Sequence, residues 1–176
     1  MPSIFSHPAV PIALGLALGH RVISGRLLTT GVVAAVLPDL DVLAFLLGIP
    51  YAHELGHRGA SHSLAFAAVL GLVALTLAAS LRAPRKTAFL FIFAAAASHG
   101  LLDMLTNGGL GIALAWPFSD ERFFFLVQVI EASPLSVRRF FSSDGAAVLV
   151  SELLWVWLPS VFVGMAVFLA RRKNAL

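Results

Sequence analysis

Apolar residues in this chain gather into five stretches, at about 8–19, 29–49, 63–81, 87–106 and 146–170, and this spacing constrains the fold more than any single motif. Most approach the roughly 17–25 residues that cross the hydrocarbon core of a bilayer. In hydrocarbon a helix satisfies its own backbone amides, so the expected fold is all-α: an integral membrane bundle of about five transmembrane helices. The first stretch is short for a full crossing and is expected to start at the interface or to lie shielded within the bundle. Residues are 59% hydrophobic and 12% charged, where soluble domains run near half and a quarter, so 1–176 reads as one membrane domain. No basic segment precedes the first apolar stretch, and a cleavable signal peptide is not expected.

The formal charge is +3 and the isoelectric point about 10.2. In a soluble protein that balance would suggest nucleic acid. Here the basic residues follow the positive-inside bias, so no nucleic-acid partner is expected and the bilayer is the partner. Arg21 and Arg26 lie between the first two stretches, Arg82, Arg85 and Lys86 between the third and fourth, and Arg171, Arg172 and Lys173 after the fifth. With five crossings these groups share one side, which should be cytoplasmic. The N-terminus and the segments 50–62 and 107–145 then face outward, and the C-terminus inward. The segment 107–145 is too broken for a further crossing and too apolar for a free loop. It is expected to fold back over the outer face, with Trp116 and Phe118 near the headgroups.

Ionisable residues at membrane depth are costly and mark function by default. Asp39 and Asp41 occupy the second stretch, His99 and Asp103 the fourth, and Glu152 the last. At about 1.5 Å per residue, His99 and Glu152 come roughly 10 and 9 Å below the outer ends of their helices. His7 opens the first stretch from outside, and His57 and His62 border the start of the third, so most His and acidic residues converge on one level. His99 and Asp103 are four residues apart and share a helix face. Asp39 and Asp41 would diverge on an intact helix, but Pro38 disfavours one and a break there would let both turn towards a polar cavity. Cysteine is absent, so any zinc must be held by His and carboxylates.

The segment His53–Ser63 reads HELGHRGASHS. Its first five residues match H-E-x-x-H, in which two His on one helix face hold zinc and the Glu acts as general base. Pro50, Gly56 and Gly59 leave little helix for that, although Glu131 or Glu152 could serve as a third ligand. The other reading starts at Gly56: His57 and His62 flank a turn, and Arg58 stands beside them as a cation suited to a phosphate oxygen.

The elements His7, PDLD at 38–41, HRGASHS at 57–63, SHGLLDMLTNGG at 98–109 and WPFSDERFFF at 116–125, in this order, resemble the family of membrane-bound metal-dependent hydrolases of bacterial inner membranes. That family is in turn considered distantly similar to zinc-dependent phospholipase C. The resemblance implies ligands at His7, Asp39, Asp41, His57, His62, His99 and Asp103, leaves out His53 and Glu54, and implies hydrolysis of a phosphoester. Fewer ligand candidates are present than a trinuclear site needs, so one or two divalent ions, zinc by preference, are expected. A carboxylate off the metal (Asp41, Glu131 or Glu152) is expected to act as base. Arg58, Arg138 and Arg139 are expected to bind phosphate, on a lipid or other membrane-borne substrate. Two other classes stay open: a membrane zinc peptidase, and a non-enzymatic metal-binding or transport protein.

Overall fold

The computed structural model describes residues 1–134 and 137–173. Leu135 and Ser136, within the expected outer segment, lie outside the described residues. Each apolar stretch holds a helix: α1 (Ala9–Leu18), α2 (Gly25–Val36), α3 (Leu64–Thr76), α4 (Arg85–Met104), and a final run made of α6 (Ser143–Glu152), a π-helical turn (Leu153–Trp157) and α7 (Leu158–Lys173), preceded by the short α5 (Val137–Phe140). The chain is all-helical, with only isolated β-bridges among the described residues.

The second stretch is broken as expected. α2 ends at Val36, and the chain continues as a 3-10 helix over Leu37–Leu47 with Pro38 in its first turn. Ser24 caps α2 by accepting from the Leu27 amide at 3.1 Å, and Ser63 caps α3 by accepting from Phe66 at 3.0 Å, each satisfying one free donor of a first turn.

Length separates the helices. Gly25–Leu47, Arg85–Met104 and Ser143–Lys173 are long and apolar enough to cross a membrane. Ala9–Leu18 and Leu64–Thr76 are shorter: at about 1.5 Å per residue, neither reaches the roughly 30 Å of a hydrocarbon core. In the 31-residue run Ser143–Lys173 the most apolar window is only 11% buried. Val161, Phe162 and Met165 all point outward, an arrangement that suits lipid as the surrounding solvent.

α4 is the central element. It packs against α2 and α3, while α1 packs against α7. Alanines line these contacts (Ala34, Ala67, Ala74, Ala88 and Ala96 are buried), and small residues let helix backbones approach closely where no hydrophobic force separates protein from lipid. Gly31 shows how closely: a Cβ there would sit 2.4 Å from the Phe91 ring. Segment 107–134 folds back over the end of α4. Ile112 and Phe123 exchange backbone bonds at 3.1 and 2.9 Å, Ala113 donates to the Arg58 carbonyl at 3.0 Å, and Phe125 donates to Met104 at 2.9 Å. Ile112, Ala113 and Ile130 are buried in consequence, while Phe118 stays exposed.

Gly31→Val should overpack this contact and cost about 1–3 kcal/mol, read as a lower thermal midpoint in detergent. Adding Phe91→Leu should recover part of the loss; equal damage in the double variant would show that Phe91 is not the obstacle.

Candidate metal centre

The break at Pro38 orients the first ligand. In a 3-10 continuation the Ala35 carbonyl looks to the residue three positions on, which is Pro38 and has no N–H. That carbonyl instead accepts from His99 Nδ1 at 2.8 Å. With its proton on Nδ1, His99 turns the lone pair of Nε2 inward, the form in which imidazole binds a metal.

Asp103, one turn further along α4, shares the buried face, and both side chains are fully enclosed. Gly100 between them lets α4 approach the segment before α3, since a Cβ there would meet the His62 carbonyl at 2.8 Å. Nε2 of His62 thereby comes to 2.9 Å from Nε2 of His99. Asp39 enters from the 3-10 turn, its Oδ1 3.5 Å from His99 Nε2 and 3.9 Å from His62 Nε2. His7 arrives from the segment before α1, its Nε2 3.6 Å from Asp39 Oδ2 and 3.8 Å from Asp103 Oδ1, with its ring stacked on that of His99 at 3.7 Å.

These separations decide the character of the cluster. Apart from the His62–His99 contact, they exceed hydrogen-bonding range. Both nitrogens of His7, both oxygens of Asp39 and Oδ1 of Asp103 are buried without a hydrogen-bond partner, and Oδ2 of Asp103 has only its ion pair with Arg58. Native interiors rarely tolerate such orphans. Ligand atoms about 2.0–2.1 Å from a tetrahedral zinc lie about 3.3–3.4 Å from one another, close to several of the distances seen. The donor set therefore fits a divalent ion. His7, His99 and Asp103 form one group of potential ligands, and Asp39, His57 and His62 a second, the atoms of each within 4.8 Å of one another. Charge points the same way. Of the three carboxylates Asp103 pairs with the Arg58 guanidinium, while the ion-pair partners of Asp39 and Asp41 are histidines.

The histidines ahead of the helices respond to this field in opposite ways. Burial pushes His7 down to about 3, keeping it neutral and able to donate a lone pair. Burial works against charge on His62 as well, but the Asp103 and Asp41 carboxylates outweigh it and raise His62 to about 9. The carboxylates thus favour positive charge between them.

Asp41 stands behind the ligands. It bonds His57 Nδ1 at 2.5 Å, His62 Nδ1 at 3.1 Å, the Ser61 hydroxyl at 2.6 Å and the Arg58 amide at 3.0 Å. About 120° per residue in a 3-10 helix, in place of about 100°, lets Asp39 and Asp41 serve opposite sides of His62. Arg58 is fully buried in a left-handed conformation (φ 64°) and spends its guanidinium on protein: Nε lies 3.0 Å from Asp103 Oδ2, and the terminal nitrogens donate to the Gly108 carbonyl at 2.6 Å and to Thr106 Oγ1 at 2.8 Å.

The remaining sequence candidates have other partners. Glu152 is buried, accepts from the hydroxyls of Ser3 and Ser6 at 2.7 Å each and from the Ser3 amide, and so clasps the segment that carries His7. Glu131 is exposed and accepts from Asn107 at 2.7 Å. Arg138 and Arg139 are exposed on α5, where Arg139 pairs with Asp144 at 3.1 Å. The H-E-x-x-H reading loses its premise, because residues 53–57 form turns and not a helix. His53 is exposed and accepts from the Leu55 amide, Glu54 accepts from Trp116, and His57 is held by Asp41. Ser3, Ser6, Thr106 and the Gly108 carbonyl carry no signal in the sequence that would have paired them with Glu152 and Arg58.

The model of one protein family matches residues 1–175. The chain belongs to the family described as YdjM inner membrane protein. A curated relative, "Inner membrane protein YbcI" of Escherichia coli (strain K12), is 44% identical over 164 residues, covering 93% of this chain and 95% of the relative. No solved structure matches significantly. This membership sets the apolar helices in a bacterial inner membrane, with the bilayer as their partner.

Because Asp41 fixes the tautomer and aim of two imidazoles, Asp41→Ala should weaken zinc binding by about 10–100-fold, measured by competition with a chelator in detergent. Unchanged affinity would remove Asp41 from the support of the site.

Proposed function

We propose that this chain is a membrane-embedded, metal-dependent hydrolase that cleaves a phosphoester of a lipid or other membrane-borne substrate. The observation that supports it is the set of buried imidazole and carboxylate atoms lacking hydrogen bonds and spaced like the ligands of one or two ions. His7, Asp39, His62, His99 and Asp103 would hold the metal, and their nitrogen and oxygen donors suit zinc. When bound, zinc would polarise a phosphoryl oxygen and bring the pKa of a water to about 7.

The chain's own residues have distinct parts in this reading. His57, anchored at Nδ1 by Asp41, offers a potential ligand atom within 4.8 Å of those of Asp39 and His62, and takes the proton that hydrolysis releases. Arg58 offsets the charge of Asp103 and braces it against Thr106 and Gly108, which keeps the carboxylate from collapsing onto the histidines. The enclosing helices exclude bulk water and strengthen each of these interactions. The basic clusters at Arg82–Lys86 and Arg171–Lys173 would face the cytoplasm and leave the site in the outer half of the membrane.

The test is metal content by mass spectrometry on detergent-purified protein, together with phosphate-ester release from phospholipid vesicles. Wild type should hold zinc and release product. His99→Ala should lose both by at least about tenfold, a loss of some 1.4 kcal/mol in binding, while His53→Ala keeps both. Metal retained in His99→Ala but lost in His53→Ala would overturn the site, and metal without any ester turnover would overturn the hydrolase.

A further inference from the structure

An apolar groove of about 570 Å³ runs beside the metal cluster, a size within the range of small-molecule pockets. Its walls come from separate parts of the chain: Phe5 ahead of α1, Val36 at the end of α2, Leu40 and Val42 of the 3-10 helix, Phe140 at the end of α5 and Phe141 just after it. Phe5 and Phe140 meet across it with ring centres 6.2 Å apart. At its edge Leu40 is 53% and Phe141 83% exposed, so the groove opens sideways onto what surrounds the protein.

Asp39 also lines this groove, and it is the one residue of the cluster that does. It thus belongs both to the candidate ligand set and to the groove, whose other polar lining is Met1, Ser3 and Ser133. His7, Arg58, His99 and Asp103 are completely enclosed. Two smaller grooves, about 320 and 360 Å³, run along α1 and α7 and have no acidic residue in their linings. A carboxylate in an apolar wall is costly unless something polar meets it there.

We infer that the groove bounded by Phe5, Leu40, Val42 and Phe141 seats the hydrocarbon chain of a bilayer lipid and presents that lipid's phosphoester headgroup at Asp39. The inference rests on the hydrolase reading for the fate of the headgroup, and it names the substrate class: an amphiphile drawn sideways from the bilayer, with its tail bound as well as its head. In an inner membrane the groove's open side meets acyl chains directly. Seating one chain would fix the direction from which the headgroup reaches the ligands, the positioning that a phosphoester reaction needs.

The test uses the full chain in vesicles of phosphatidylethanolamine and phosphatidylglycerol containing a trace of phosphatidylethanolamine with a photoactivatable diazirine on one acyl chain. Cross-linked peptides are mapped by mass spectrometry, and metal content is measured on the same samples. Wild type should label chiefly at residues 4–5, 36–45 and 140–141. Leu40→Trp on the exposed rim and Val42→Trp on the wall should each cut that labelling about tenfold, equivalent to some 1.4 kcal/mol of chain binding. Leu16→Trp, in the α1–α7 groove, should leave it unchanged, and all three variants should keep wild-type metal. Labelling spread evenly over α7 and the groove, or insensitive to Leu40→Trp, would overturn the inference. Groove labelling in a protein without metal would retain the lipid seat and sink the hydrolase instead.

Discussion

One missing hydrogen organises the site. Pro38 cannot donate to Ala35, so the last carbonyls of α2 are left for other partners and the chain tightens into a 3-10 helix. The released carbonyl fixes the tautomer of His99, and the tightened turn carries Asp39 into the cluster and Asp41 behind it. A regular helix through 25–47 would satisfy its own backbone, leave His99 unoriented and divide the two carboxylates between opposite faces. The backbone irregularity is tolerated in an apolar setting because it is covered by α4 and lines a polar interior.

The cluster in turn depends on charge that the fold refuses to cancel. Among the described residues Arg58 is the fully buried guanidinium, and it is tied to Asp103 and to the Thr106–Gly108 turn. A second buried cation would have made a closed ion-pair network, a common structural fate for buried carboxylates. The carboxylates favour positive charge beside them: Asp103 and Asp41 push His62 up against the effect of its burial. The alanine-lined contacts of α2, α3 and α4 hold the elements close enough for side chains from four segments to meet.

Much of this was legible in the residues. Apolar stretches located the helices, Pro38 announced the break, and the four-residue spacing of His99 and Asp103 set them on one face. The uneven lengths of the helices were less visible, because Ala9–Leu18 and Leu64–Thr76 are as apolar as true crossings and differ in where the backbone turns. Glu152 misled for a different reason. Its depth in the last helix matches that of His99, but depth is one coordinate, and rotation about the helix axis points it at Ser3 and Ser6. Asp41 was expected as a metal ligand or base and Arg58 as a phosphate-binding cation, and both make their polar contacts with other residues of the chain. Their roles depend on the 3-10 rotation and on the left-handed turn at Arg58, neither of which a residue pattern specifies. H-E-x-x-H failed because a motif borrowed from a helix has no meaning in a run of turns.

The clasp between Glu152 and residues 3–6 ties the first ligand to the last long helix. Glu152 is synthesised after α1, α2, α3 and α4, so the clasp on the segment that carries His7 forms only once those helices have been made. A chain cut before the last long helix would carry Asp39, His62, His99 and Asp103 and still lack the anchor that holds the His7 segment. Assembly order thereby acts as a safeguard: the buried imidazoles and carboxylates are brought together only when the helices that enclose them are in place.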